Sequence, residues 1–216
     1  MLTVWSQLTS RLTMDIDLFG KISNSRDVII AAMQEACEAN VEPDGMSFDC
    51  RSVTAARITE DAEYEGVRVR LRGHLGNARV FLQVDIGFGD IVVPSPARES
   101  FPTLLDFPSP RLYGYSKEST IADKFRAMVN FGDLNSRMKD FYDIWTLCSR
   151  FDFDDEILAE AIEKTFANRK TSLTENLTVF QSPFAENQEK KASGGEHRQG
   201  EAGHFSGHLQ EGGCWN

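Results

Sequence analysis

Apolar residues recur with period two along much of the first half of the chain, broken by one stretch of helical period. From Arg26 to Asn40, Val28, Ile29, Ala32, Met33 and Cys37 share a face and Glu35 and Glu38 lie outside it, which predicts an amphipathic helix. Before it, Thr13-Met14-Asp15-Ile16-Asp17-Leu18 alternates acid with aliphatic and reads as a strand with one wet face. After it come strands over Met46 to Ile58, Gly66 to Arg72 and Ala78 to Ile86. Val67, Val69 and Leu71 alternate with Arg68, Arg70 and Arg72, and Val80, Leu82 and Val84 with Phe81, Gln83 and Asp85. The turn Gly73-His74-Leu75-Gly76-Asn77 between the last two predicts a hairpin.

Beyond Gly89 the texture changes. Pro94, Pro96, Pro102, Pro108 and Pro110 exclude a long regular element and mark a connecting loop. Helical spacing then returns over Ser116 to Phe131, over Asn135 or Ser136 to Ser149, and over Asp154 to Phe166. Met138, Phe141, Trp145 and Cys148 make the apolar stripe of the second, and Ile157, Leu158, Ala161, Ile162 and Phe166 that of the third. Asn135 and Asp154 are natural N-caps. From Ala192 the chain is glycine-rich and lacks aliphatic periodicity, so it is expected to be disordered. These patterns predict an α+β chain: a sheet domain over residues 1–110, a helical domain over 111–191 and a tail over 192–216.

Composition narrows the classes. No apolar run approaches the length of a membrane span, and the N-terminus lacks the features of a signal peptide, which predicts a cytoplasmic protein with no membrane partner. Cys37, Cys50, Cys148 and Cys214 form no metal or redox motif and read as reduced thiols. His204 and His208, beside Gly203 and Gly207, read as part of a solvated tail rather than a metal pair. A formal net charge of −10 argues against nucleic-acid binding over the whole surface but allows a local basic patch.

Three constellations carry candidate chemistry. Asp15 and Asp17 lie on one strand face, about 6.6 Å apart along it, and offer hard oxygen donors for one or two Mg²⁺ ions. Asp85, on the polar face of a later strand, adds a third carboxylate if the two strands are neighbours. The third is the run Glu118 to Leu147, where Lys124, Arg137 and Lys139 could neutralise phosphate and Asp140 and Asp143 share a helix face. A bland alternative pairs Lys139 with Asp143 at i,i+4 and leaves the rest solvated. Arg68, Arg70 and Arg72 could track an RNA backbone, or form an outer solvated face.

Four blocks then occur in a telling order. They are Arg11-x-Thr13-Met14-Asp15-Ile16-Asp17, Val84-Asp85-Ile86-Gly87-Phe88-Gly89-Asp90, Ile121-Ala122-Asp123-Lys124, and Asn135-Ser136-Arg137-Met138-Lys139-Asp140-Phe141-Tyr142-Asp143. Together they resemble the AbiEii/AbiGii family of nucleotidyltransferase-like toxins. The resemblance implies a DNA-polymerase-β-like nucleotidyltransferase sheet followed by helices, and transfer of a nucleoside monophosphate from an NTP to an acceptor such as tRNA. It also implies neutralisation by a cognate antitoxin. Residue by residue it implies that Asp15, Asp17 and Asp85 hold two Mg²⁺, that Asp85, Lys124 and Asp140 act in catalysis, and that Lys124, Arg137 and Lys139 contact phosphate, with Asp143 a further acid one turn on.

The family's Gly-rich phosphate-binding turn, expected just before the first carboxylates, has no counterpart between Met1 and Asp15. The sequence is therefore expected to be shortened at its N-terminus and altered in its tail, and the rival expectation is a non-catalytic remnant that keeps an antitoxin- or nucleotide-binding surface. A metal-dependent phosphohydrolase using the same carboxylates is a third.

Overall fold

A computed structural model describes Trp5 and residues 16–58, 66–103, 106–132 and 138–173. Asp15, Arg137 and the tail from Ala192 lie outside the described residues. The chain divides into two compact units, one drawn from Leu12–Asp90 and the other from Ile91 onward together with Trp5. Residues 91–110, grouped with the sheet by sequence, therefore cluster with the helices.

The first unit is a four-stranded mixed sheet with one helix. Its strands are β1 (Ile16–Gly20), β2 (Met46–Ile58), β3 (Gly66–Leu75) and β4 (Ala78–Phe88), and its helix is α1 (Arg26–Glu38). The order across the sheet is β1-β4-β3-β2, with β1 parallel to β4 and the other pairs antiparallel. The alternation read from sequence sets the two faces. Val53, Ala55, Val67, Val69, Leu71, Val84, Ile86 and Phe88 are buried on one side, and Ile29 of α1 is fully buried among them. Ile30, Met33 and Cys37 complete the helix face, whereas Val28 and Ala32, expected in the stripe, are exposed. The helix presents its Ile29-Met33-Cys37 side, and a stripe that narrow leaves the residues beside it in water.

Two features lengthen or bend the strands relative to expectation. The hairpin turn contracts to Gly76-Asn77, because Leu75 and Ala78 still pair. Gly76 takes φ +58° and is the residue of the pair with positive φ, which matches a II′ turn that suits the twist of the flanking strands. In β2 the register shifts between Asp49 and Thr54: β2 advances five residues while β3 advances from Arg72 to Arg70. Within this bulge Ser52 Oγ donates to the Asp49 carbonyl (2.6 Å) and accepts from the Arg72 amide (2.8 Å), standing in for lost ladder bonds.

The second unit contains a short two-stranded ladder, β5 (Ala97–Ser100) with β6 (Arg111–Gly114), and the helices α2 (Lys117–Phe131), α3 (Met138–Arg150) and α4 (Asp155–Asn168). Ser116 caps α2 by accepting from the Ser119 amide, and Asp154 caps α4 by accepting from the amides of Glu156 and Ile157. Val93 is tied to the start of α2, its carbonyl accepting from the hydroxyls of Ser116 (2.6 Å) and Ser119 (3.0 Å). The core gathers Ile121, Phe125 and Met128 from α2, Ile144 and Leu147 from α3, and Phe166 from α4, with Trp5 packed beside them. Met138, Phe141, Trp145 and Cys148, expected as the apolar stripe of α3, are only half-buried. The face of α3 that is fully buried runs through Asp140, Asp143, Ile144 and Leu147.

At the end of β1, Gly20 lies in register with Phe88, and a Cβ there would overlap the aromatic ring, with Phe88 Cδ1 at 2.6 Å. Gly20→Ala should therefore destabilise the sheet by about 1–3 kcal/mol. Urea unfolding checks this, and the Gly20→Ala/Phe88→Leu double variant should recover part of the loss.

Candidate functional site

The open face of the sheet is arranged in rows set by the pairing register. Asp17 of β1 pairs with Asp85 of β4, and Asp85 pairs with Arg68 of β3. Parallel pairing with no slip puts both carboxylates on the same face, opposite the apolar side that packs on α1. The expected neighbour relation between the first strand and the strand of Asp85 is thus present. The sheet also adds a partner that the sequence did not suggest. Arg68 forks onto Asp85, Nε to Oδ1 at 2.9 Å and Nη2 to Oδ2 at 2.8 Å. Both side chains are mostly shielded, 24% and 17% exposed, so the bidentate pair fixes the plane of the Asp85 carboxylate.

The other two arginines of β3 have different partners. Arg70 donates to Gln83 Oε1 at 3.3 Å, and Arg72 reaches Asp49 Oδ2 at 2.9 Å across the bulge. The arginine row is thus neither a bare basic stripe nor a uniformly solvated face. Arg68 and Arg72 are charge-compensated, and Arg70 is held by a neutral amide.

In the helical unit, Lys124 of α2 meets Asp140 and Asp143 of α3, with Nζ at 2.9 Å from Asp140 Oδ1 and 2.6 Å from Asp143 Oδ2. Asp140 and Asp143 are 3% and 1% exposed. Three residues apart, they project from one side of α3, and a helix carries two buried carboxylates only where a cation answers them. The i,i+4 pairing of Lys139 with Asp143 considered from sequence is replaced by this interhelical contact. Lys139 lies half-buried on the same helix. The Lys124 ammonium carries three donors, of which these contacts use two, and its side chain is 20% exposed.

Cys37, beside the sheet, sits in a setting that disfavours the thiolate. Burial between α1 and β2 pushes the Cys37 thiol up from its ordinary value, reinforced by neighbouring Cys50 and Glu38, which keeps it a thiol rather than a nucleophilic thiolate.

Lys124→Met would take away an ammonium shared by two buried carboxylates, so it should cost about 1.5–3 kcal/mol, the order of a charge-assisted hydrogen bond. Introducing Asp140→Asn and Asp143→Asn alongside it should restore a large share, as read from denaturant midpoints of the single and triple variants.

Comparison with known proteins agrees with the family resemblance read from the sequence. Residues 1–211 match the family described as nucleotidyl transferase AbiEii toxin, type IV TA system, a span that runs into the glycine-rich segment. No curated protein and no solved structure matches the chain. With the paired aspartates on a mixed sheet and an acid-bound lysine in the helices, this match over most of the sequence shows that the chain belongs to the AbiEii nucleotidyl transferase toxin family of type IV toxin–antitoxin systems.

Proposed function

We propose that this chain transfers a nucleoside monophosphate from an NTP to an acceptor such as the 3′ end of tRNA, with Asp17 and Asp85 at the centre of the reaction. The observation that carries this reading is the in-register pairing of two carboxylates on the open face of a sheet whose other face is packed. A parallel β1–β4 contact inside an otherwise antiparallel sheet supports a DNA-polymerase-β-like nucleotidyltransferase architecture.

Carboxylates one strand apart, about 4.8 Å, suit a small hard cation. Asp15, two residues from Asp17 in sequence, would complete a three-carboxylate set for Mg²⁺. Among the described residues no group of three or more His, Cys, Asp or Glu suited to a metal occurs, and Asp15 is not one of them. Bound Mg²⁺ would supply charge neutralisation and alignment for attack of an acceptor hydroxyl on the α-phosphate.

Arg68 keeps Asp85 from rotating away, while each Asp85 oxygen retains a lone pair beyond the one it gives to the guanidinium. Asp140 and Asp143 hold Lys124 extended, and its third N–H is the donor assigned here to a phosphate oxygen. Arg137 and Lys139 are assigned as further phosphate contacts. A cognate antitoxin and a cytoplasmic site of action complete the reading.

Asp17 is exposed and asparagine matches it in size, so Asp17→Asn should still fold and melt cooperatively. The same variant should lower transfer of label from α-³²P-NTP to total tRNA by at least about 100-fold, and EDTA should abolish transfer by the parent protein. Undiminished labelling by Asp17→Asn overturns the assignment. Absence of labelling by the parent with every NTP, together with retained antitoxin binding, would favour the non-catalytic remnant.

A further inference from the structure

The open face of the sheet extends beyond the carboxylates. Below the row of Arg68, Asp85 and Asp17 come Arg70 with Gln83, then Arg72 with Phe81, then His74 with Arg79. Alternation places all of these on the face opposite the apolar core. Phe81 is 78% exposed, an unusual state for a phenylalanine in the middle of a strand flanked by arginines. Two rows, about 13 Å, separate it from Asp85 along β4.

We infer that this face is a platform for single-stranded RNA, with Phe81 stacking one base and Arg70 and Arg79 contacting the backbone beside it. Charge complementarity carries the choice of occupant. In a chain of net charge −10, Arg68 and Arg72 are offset by Asp85 and Asp49. Arg70 has a neutral partner, and Arg79 is exposed with no acidic partner among the described residues. The face therefore keeps positive charge on both sides of the exposed Phe81 ring, the combination that grips a strand by phosphate contact and base stacking.

A base inside a duplex presents no face to such a ring, so the strand must be unpaired there. A second copy of this chain is a poor occupant, because a two-fold contact would set arginines against arginines. The inference rests on the transfer reading in one respect: the reacting end of the strand lies at Asp17 and Asp85, which puts an upstream base on Phe81.

The test measures binding of a short unstructured oligoribonucleotide to the full chain without NTP, by fluorescence anisotropy. Phe81→Ala should weaken binding by roughly 5- to 150-fold, the range for loss of one stacked base. Phe81→Trp should retain affinity, and its added fluorescence should be quenched by RNA. Arg70→Gln should flatten the slope of log K against log salt by about 0.7. Equal affinity for the parent, Phe81→Ala and Phe81→Trp overturns the platform, as does a Phe81→Ala effect confined to oligomeric state in sedimentation. The two readings fail separately. Phe81-dependent binding without label transfer by any NTP leaves the platform and removes the transferase. Transfer with an unchanged acceptor KM in Phe81→Ala does the reverse.

Discussion

Asp85 stands beside Asp17 because β1 runs parallel to β4 without a slip, and a displacement of one residue would turn Asp17 toward the apolar core. On the packed side Val84, Ile86 and Phe88 share an apolar cluster with Ile29 of α1 and the Phe88 ring rests on Gly20, while Ile16 and Leu18 of β1 stay exposed. The ladder, together with the close Gly20–Phe88 contact, thus decides which charges share the open face. Arg68 then follows without separate provision, since its pairing with Asp85 in the β3–β4 ladder brings a guanidinium fork to the carboxylate.

The helical unit uses ion pairing differently. Lys124, Asp140 and Asp143 occupy positions on α2 and α3 where aliphatic residues would pack with less desolvation cost. Two buried acids around one ammonium are a poor device for stability alone. They do immobilise the lysine, which is what the phosphate contact proposed for it would require.

Much of the sheet was legible because its alternation is regular. The bounds of β2 and the starts of β3 and β4 follow from it directly, as do the ends of α2 and the capping of α4 by Asp154. Partner choice was less legible. The bulge inserts an odd number of residues, so Asp49 and Thr54 share the open face although their numbers differ in parity, and simple alternation puts Asp49 on the wrong side. In α3 the large side chains Met138, Phe141, Trp145 and Cys148 outweighed the aspartates as a signal for burial. The interhelical cation that reverses that preference comes from α2, sixteen residues earlier. Arg68 read as part of a row of three arginines because its acceptor lies across a strand pair, a relation that spacing along one strand does not encode.

The same bulge also shapes the edge of the sheet. Among the described residues β2 is an outer strand of the sheet, thirteen residues long, and a flat strand of that length would offer a continuous template to a strand from another molecule. Between Asp49 and Thr54 its backbone leaves the ladder, and Arg51 and Arg57 are exposed along it. The irregularity that brings Asp49 to Arg72 therefore also breaks that template, so one local departure from the ladder serves both a side-chain contact and a shorter regular edge.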